Sequence, residues 1–229
     1  MPHTLVVADT HTHWKPFLSF LWTHRPSVCL VAGDFGWWPG HELSLFLRLK
    51  PETSEIRFID GNHEDHSSLF AAVKRRQDDG GYRSHEPVEL APGLWYQPRG
   101  STYTLADGRT IFCVGGAAPV KNATVLYERP AMLDRTDLPA SLPSADIVLA
   151  HTLCNRSGLL ATLPPLKGQD PSTFVLDEVF SAVRPKLWLC GHLHRHMRSR
   201  AEGCVFHVLD LLMREISRPL GTYAYVLVD

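Results

Sequence analysis

Five short apolar runs, each closed by a polar residue that can bind a cation or carry a proton, constrain this chain more than any other feature in it. Residues 4–8 end at Asp9, 28–32 at Gly33-Asp34, 56–59 at Asp60-Gly61-Asn62-His63, 146–150 at His151 and 186–190 at Gly191-His192. Runs rich in Val, Ile and Leu and bounded by Gly and Asp predict buried strands. Between them, 17–24 and 42–49 carry apolar residues at helical spacing. Residues 67–75 and 172–183 are further helix candidates, with Ser67 and Ser172 as N-caps. Strands alternating with helices predict an α/β fold. Ligands in such folds gather beyond the carboxyl ends of the strands, so the five polar ends are expected at one edge.

The middle and the tail read differently. Residues 94–97, 101–105 and 110–114 are short strand candidates, with Ala106-Asp107-Gly108-Arg109 as a hairpin turn between the last two. Residues 204–209 and 222–228 add two more, and together they predict a second sheet with antiparallel pairing. Residues 115–144 and 153–170 are rich in Pro, Gly and Ala with weak periodicity, and are expected to be long loops over the site. No repeat, low-complexity tract or domain boundary interrupts the 229 residues, a length suited to one domain, 1–229, with a sizeable core.

Composition narrows the class. Hydrophobic residues make up 44% and charged residues 21%, as in an ordinary soluble globular protein. The formal net charge of −1 supplies no global field for long nucleic acid, so an anionic partner must be attracted locally. Nucleotides stay open as partners. The opening Met1-Pro2-His3-Thr4 lacks the basic and long apolar regions of a signal peptide, and no run approaches a membrane span. Cys29, Cys113, Cys154, Cys190 and Cys204 are odd in number and form no CxxC pair. They read as buried free thiols of a reducing, cytoplasmic compartment rather than a disulfide framework or a thiolate zinc site.

The chemistry lies in the combination at the strand ends. Asp9-Thr10-His11 places a carboxylate and an imidazole two residues apart, a pair able to bind one ion. Asp34 has two oxygens and can bridge two ions. Asn62 offers a neutral amide oxygen, and His151, His192 and His194 offer nitrogens. Mixed carboxylate, amide and imidazole donors suit Mn, Fe, Zn or Ni better than Ca or a thiolate-selected ion. Taken singly, each piece is a turn or a polar loop.

In the order Asp9-Thr10-His11, Gly33-Asp34, Gly61-Asn62-His63-Glu64, His151, Gly191-His192-Leu193-His194, the chain resembles the calcineurin-like metallophosphoesterases across residues 9 to 194. The resemblance implies two packed mixed β-sheets flanked by helices. It implies that Asp9, His11 and His194 hold one divalent ion, that Asp34 bridges, and that Asn62, His151 and His192 complete a second site. Manganese is the first expectation, with Fe, Zn or Ni as alternatives. His63 would then be the general acid beside the leaving-group oxygen, or a ligand of a phosphate oxygen. The activity implied is hydrolysis of a phosphodiester or phosphomonoester, small or nucleotide-like, by water activated between two ions. A catalytically silent metal-binding scaffold or protein-interaction module of the same fold is the alternative, and the filled ligand positions argue against lost turnover. A structural zinc protein ranks last, because no cysteine joins the ligand set.

The chain also departs from the family. Many members carry a second Asp three residues after the bridging one, to orient the catalytic His; here that position is Trp37. His63 therefore needs another orienting group, Glu64 or a backbone carbonyl. Asp65-His66 stands where the Ser/Thr protein phosphatase pattern has Arg, which argues against that branch. Candidate substrate contacts are Arg195 beside His194, His13 two residues after His11, and Trp37. Either Trp37 or Trp38 lines the rim and stacks on a nucleobase, for about 1–3 kcal/mol, or both cover the core. Arg156, Lys121 and Arg129 could clamp a phosphate or be solvated charges. Asp60 and Asp65 are expected as caps, turn groups or supports of the ligands, and His196 as a surface or supporting residue.

Overall fold

A computed structural model describes residues 3–80, 83–118, 131–163, 170–212 and 219–227. The N-terminal part alternates β1 (Thr4–Val7), α1 (Trp14–His24), β2 (Val28–Ala32), α2 (His41–Leu49), β3 (Glu55–Ile59) and α3 (His66–Gly80). Four short strands follow: β4 (Val88–Ala91), β5 (Leu94–Tyr96), β6 (Thr102–Thr104) and β7 (Thr110–Val114). The rest comprises β8 (Ile147–Ala150), α4 (Ser172–Val183), β9 (Leu187–Cys190), β10 (Met197–Ala201), β11 (Cys204–Val208), α5 (Leu220–Tyr223) and β12 (Ala224–Leu227).

The strands form two six-stranded mixed sheets, ordered β12-β1-β2-β3-β5-β4 and β10-β11-β9-β8-β7-β6. In each, four central strands run parallel and an antiparallel strand closes either edge. Val6, Ala8, Leu30 and Ala32 of the first sheet pack against Ile111, Cys113, Ile147 and Leu149 of the second. The alternate residues face outward. Leu5, Val7 and Val31 meet Phe17, Leu21 and Phe46 of α1 and α2, while Val148, Trp188 and Phe206 meet Leu176, Val179 and Phe180 of α4. Where both faces of a central strand are covered, as in β1, β2, β8 and β9, it reads as an unbroken apolar run, whereas β3, EIRFI, keeps an alternating pattern.

The helix starts differ from the serine caps expected. Asp65 caps α3, its Oδ1 accepting from Ser68 N at 3.0 Å, and the helix runs on to Gly80. Asp170 performs this role for α4, accepting from Ser172 N at 2.8 Å. Ser172 is itself buried, with its hydroxyl accepting from Leu133 N. An ionised Asp is the better acceptor at a helix N-terminus, where the dipole favours negative charge. Strands β4 and β10 are additions to the expected set. Each is an edge strand with one covered face, so neither shows a buried-strand pattern; β10 reads MRSRA. The 106–109 hairpin forms as expected, with Leu105 N donating to Arg109 O and Gly108 at φ +88°. The expected loops contain only 3-10 turns in their described parts, Arg135–Asp137, Asn155–Ser157 and Leu160–Thr162. All five cysteines are free and buried.

Candidate metal centre

The five polar strand ends do meet. Asp9, Asp34 and Asn62 follow β1, β2 and β3 of one sheet; His151 and His192 follow β8 and β9 of the other. One ligand atom from each of Asp9, His11, Asp34 and His194 lies within 4.8 Å of the others. His11 Nε2 is 3.4 Å from Asp34 Oδ2 and 3.0 Å from His194 Nε2, which is 3.7 Å from Asp9 Oδ1. On the other side of Asp34, His151 Nε2 lies 3.4 Å from Oδ1 and 3.1 Å from Asn62 Oδ1. The His192 ring stands 4.9 Å from that of His151, and the His63 ring 5.0 Å from that of His11. His63 is exposed, and its backbone N–H donates to Asp34 Oδ1 at 2.8 Å.

Local backbone conformation produces this convergence. Asp9, His11, Asp34, His192 and His194 all adopt left-handed φ, between 44° and 66°. Such conformations cost non-glycine residues about 1–3 kcal/mol each and persist only where surrounding structure enforces them. Neighbouring glycines permit the close approach. A Cβ on Gly61 would lie 2.0 Å from Asp34 Oδ1, and one on Gly191 would lie 2.2 Å from Asp9 Oδ2. The N–H of His192 meanwhile donates to both oxygens of Asp9, at 3.1 and 3.0 Å.

The donor set fits divalent ions. Asp34 Oδ2 is buried and has no hydrogen-bond partner among the described residues. His151 Nδ1 donates to Ala32 O at 3.0 Å, which turns Nε2 towards two oxygens that are themselves acceptors. Only a proton or a cation reconciles that arrangement. Burial pushes His11 down to about 4 and His192 to about 3, and it lowers His194 as well. These imidazoles are therefore neutral near pH 7, the form that ligates metals. Burial raises the Asp9 carboxyl. Asp34 resists the same upward push, because the imidazoles around it, His151 first, hold it below the usual carboxylate range.

Supporting groups lie behind the ligands, and the sequence reading missed most of their roles. Glu64 does not serve as a carboxylate partner for His63: its oxygens accept from the backbone N–H groups of Phe35, Gly36 and Trp37. It thereby pins the loop of Asp34 to the loop of Asn62. Asp60 is fully buried. It accepts from Tyr96 Oη at 2.9 Å and from Arg99 Nη2 at 2.7 Å, and Arg99 reaches on to Asp137 at 2.6 Å. His66 Nε2 donates to Gly61 O at 3.0 Å. Only the position of Asp60 and His66 beside Gly61-Asn62 could have flagged these two; Arg99 lies too far along the chain to be paired by spacing.

The substrate candidates separate. Trp37 is 7% exposed, stacked against Phe58 and hydrogen-bonded to Ser68 Oγ, so it packs the core and does not line a rim. The reason is the loop itself, whose amides are drawn inward onto Glu64. Trp38, 54% exposed, is the outward one. Arg195 is exposed beside His194, and His13 is exposed at the start of α1 without capping it through its side chain. Arg156 is paired with Glu202 at 2.6 Å, and His196 contacts His207 at 2.9 Å. Lys121 and Arg129 lie outside the described residues.

Among the described residues, no helix is long and apolar enough to cross a membrane. The fold is shared with solved structures of low sequence identity. TT1561 of Thermus thermophilus superposes with a TM-score of 0.56 at 13% identity, covering 92% of this chain and 90% of that one. The phosphopantetheinyl hydrolase PptH from Mycobacterium tuberculosis superposes with a TM-score of 0.55 at 13% identity, covering 99% and 96%. No curated protein matches the chain. The family model for calcineurin-like phosphoesterases matches residues 2–196, most of the chain and every candidate ligand position described above. The chain belongs to the calcineurin-like phosphoesterase family.

Proposed function

We propose that this protein is a metal-dependent phosphoesterase that hydrolyses a phosphodiester or phosphomonoester, with a small or nucleotide-like substrate favoured. The observation that carries the reading is the convergence of Asp9, His11, Asp34 and His194 within 4.8 Å. With Asp34 as the bridge, these residues hold one divalent ion, and Asn62, His151 and His192 hold the other. Mixed oxygen and nitrogen donors favour manganese, with Fe, Zn or Ni as alternatives. Bound there, two such ions acidify water and offset the charge of the phosphate oxygens.

The remaining work falls to the chain's own groups. His63 holds a proton on its imidazole for the leaving-group oxygen, a role its exposure and its position beside His11 allow. Arg195 and His13, both exposed next to candidate ligands, contact the substrate. Residues 1–229 act as one domain, and the five buried free thiols suit a reducing, cytoplasmic setting.

The test uses metal-stripped protein refilled with manganese, offered an aryl phosphodiester beside the matching monoester. Turnover that requires metal is expected. Metal-loaded protein that binds both esters yet turns over neither would instead identify a silent scaffold.

A further inference from the structure

Of six large apolar side chains exposed among the described residues, Trp22, Trp38, Leu45 and Leu49 lie on α1, α2 or the loop between β2 and α2. Leu45 and Leu49 among them share a groove, and contiguous exposed apolar surface is the kind that marks a binding site. Between α1 and α2 runs a groove of about 430 Å³. Trp14, stacked on Phe46 at 4.6 Å between ring centroids, helps form it, together with Leu18, Leu45 and Leu49. Its polar lining is confined to Thr12, His13, Lys15 and Glu42, near the starts of the two helices. The volume falls within the range of about 300–1,000 Å³ typical of small-molecule pockets.

The groove begins beside the candidate metal centre in the chain. Thr12 and His13 line it and follow directly on His11, and two residues of chain span at most about 7 Å. Helix α2 likewise follows the loop of Asp34. The two loops touch, since a Cβ on Gly36 would lie 2.5 Å from Thr12 N. We propose that this groove receives the apolar alkyl or aryl group of the phosphate ester, which makes the substrate an ester of an apolar alcohol. This rests on the phosphoesterase reading and narrows its substrate. The occupant is a small organic group, not a protein, because the groove has a small-molecule volume and begins on residues that follow the candidate ligand His11.

The experiment compares manganese-loaded wild type with Leu45→Arg and Leu49→Arg on alkyl 4-nitrophenyl phosphodiesters from methyl to octyl. Both leucines are well exposed, so the fold tolerates the charge. In the wild type, kcat/KM is expected to rise with chain length, by at most about three- to fourfold per methylene. Both variants should flatten that rise. Turnover of the methyl ester with no chain-length dependence overturns the groove and leaves the phosphoesterase reading standing. If no ester is turned over, that reading fails, and calorimetric titration with octyl phosphate and methyl phosphate judges the groove alone. Tighter binding of octyl phosphate, lost in Leu45→Arg, sustains the groove; equal binding of the two sinks it. A wild-type dimer that Leu45→Arg dissociates would also overturn the proposal, by assigning the face to self-association.

Discussion

His151 and Asn62 face each other across the candidate metal centre: the imidazole Nε2 and the amide Oδ1 stand 3.1 Å apart, with Asp34 Oδ1 3.4 Å from the same nitrogen. The Ala32 carbonyl fixes this by occupying Nδ1 at 3.0 Å. A divalent cation among the three atoms would take the place of the proton that otherwise lets Nε2 meet two oxygens. Manganese should therefore stabilise the protein, by about 4 kcal/mol at a thousandfold excess over Kd. His151→Ala and Asn62→Ala should each bind fewer equivalents than wild type, and Asp34→Asn fewest, as the residue between both sites. Metal content after gel filtration, alongside thermal melts with and without manganese, checks this; unchanged stoichiometry in all three variants would remove these residues from the ligand set.

Gly61 sets the separation of two ligand loops. A methyl group there would occupy space 2.0 Å from Asp34 Oδ1, so either the Asn62 loop or the Asp34 carboxylate must shift. Gly61→Ala should bind metal at least tenfold more weakly while retaining its far-ultraviolet circular dichroism. Misplacing a ligand by a fraction of an ångström disturbs affinity well before it disturbs the fold. Gly108→Ala, at a hairpin turn with open space around it, is the control for general backbone strain: it should destabilise the protein without weakening metal binding.

The role of His63 is read from leaving groups. A general acid matters most when the departing oxygen is a poor leaving group. His63→Ala should lose about 10²–10⁴ in kcat on an alkyl ester and much less on a 4-nitrophenyl ester. Equal losses across a series of leaving-group pKa values would assign His63 to phosphate binding instead.

The convergence of the candidate ligands was legible in the sequence because most of them close an apolar run or lie within a few residues of its end, and parallel strands covered on both faces advertise themselves as such runs. Edge strands β4 and β10 were hidden for the same physical reason: with one covered face, their residues need not be apolar. The helix caps were misassigned because Ser and Asp compete for the same position, and only three-dimensional hydrogen bonding shows that Asp65 and Asp170 win it. Trp37 and Glu64 were misjudged together. The inward pull of three amides onto one buried carboxylate decides which tryptophan faces solvent, and that contact spans 27 to 29 residues of chain.

Asp60 and Arg99 form the other long-range contact the sequence concealed, and it carries a pH signature. Burial pushes the Asp60 carboxyl up, but Arg99, with His66, outweighs it and holds the group below the usual carboxylate range. A carboxyl depressed in the folded state contributes stability that is fully present above its unfolded pKa of about 3.9 and is lost as pH falls through the folded value. Asp60→Asn removes the fully buried partner of Arg99, leaving the partly exposed Asp137, and should cost up to about 3–5 kcal/mol near neutrality. The gap between wild type and variant should narrow below pH 4, where wild type begins to lose the same contribution. Urea unfolding at pH 7 and pH 3 measures both; a gap that stays constant between them would mean that the Asp60 carboxyl is not depressed in the folded state and contributes through packing alone.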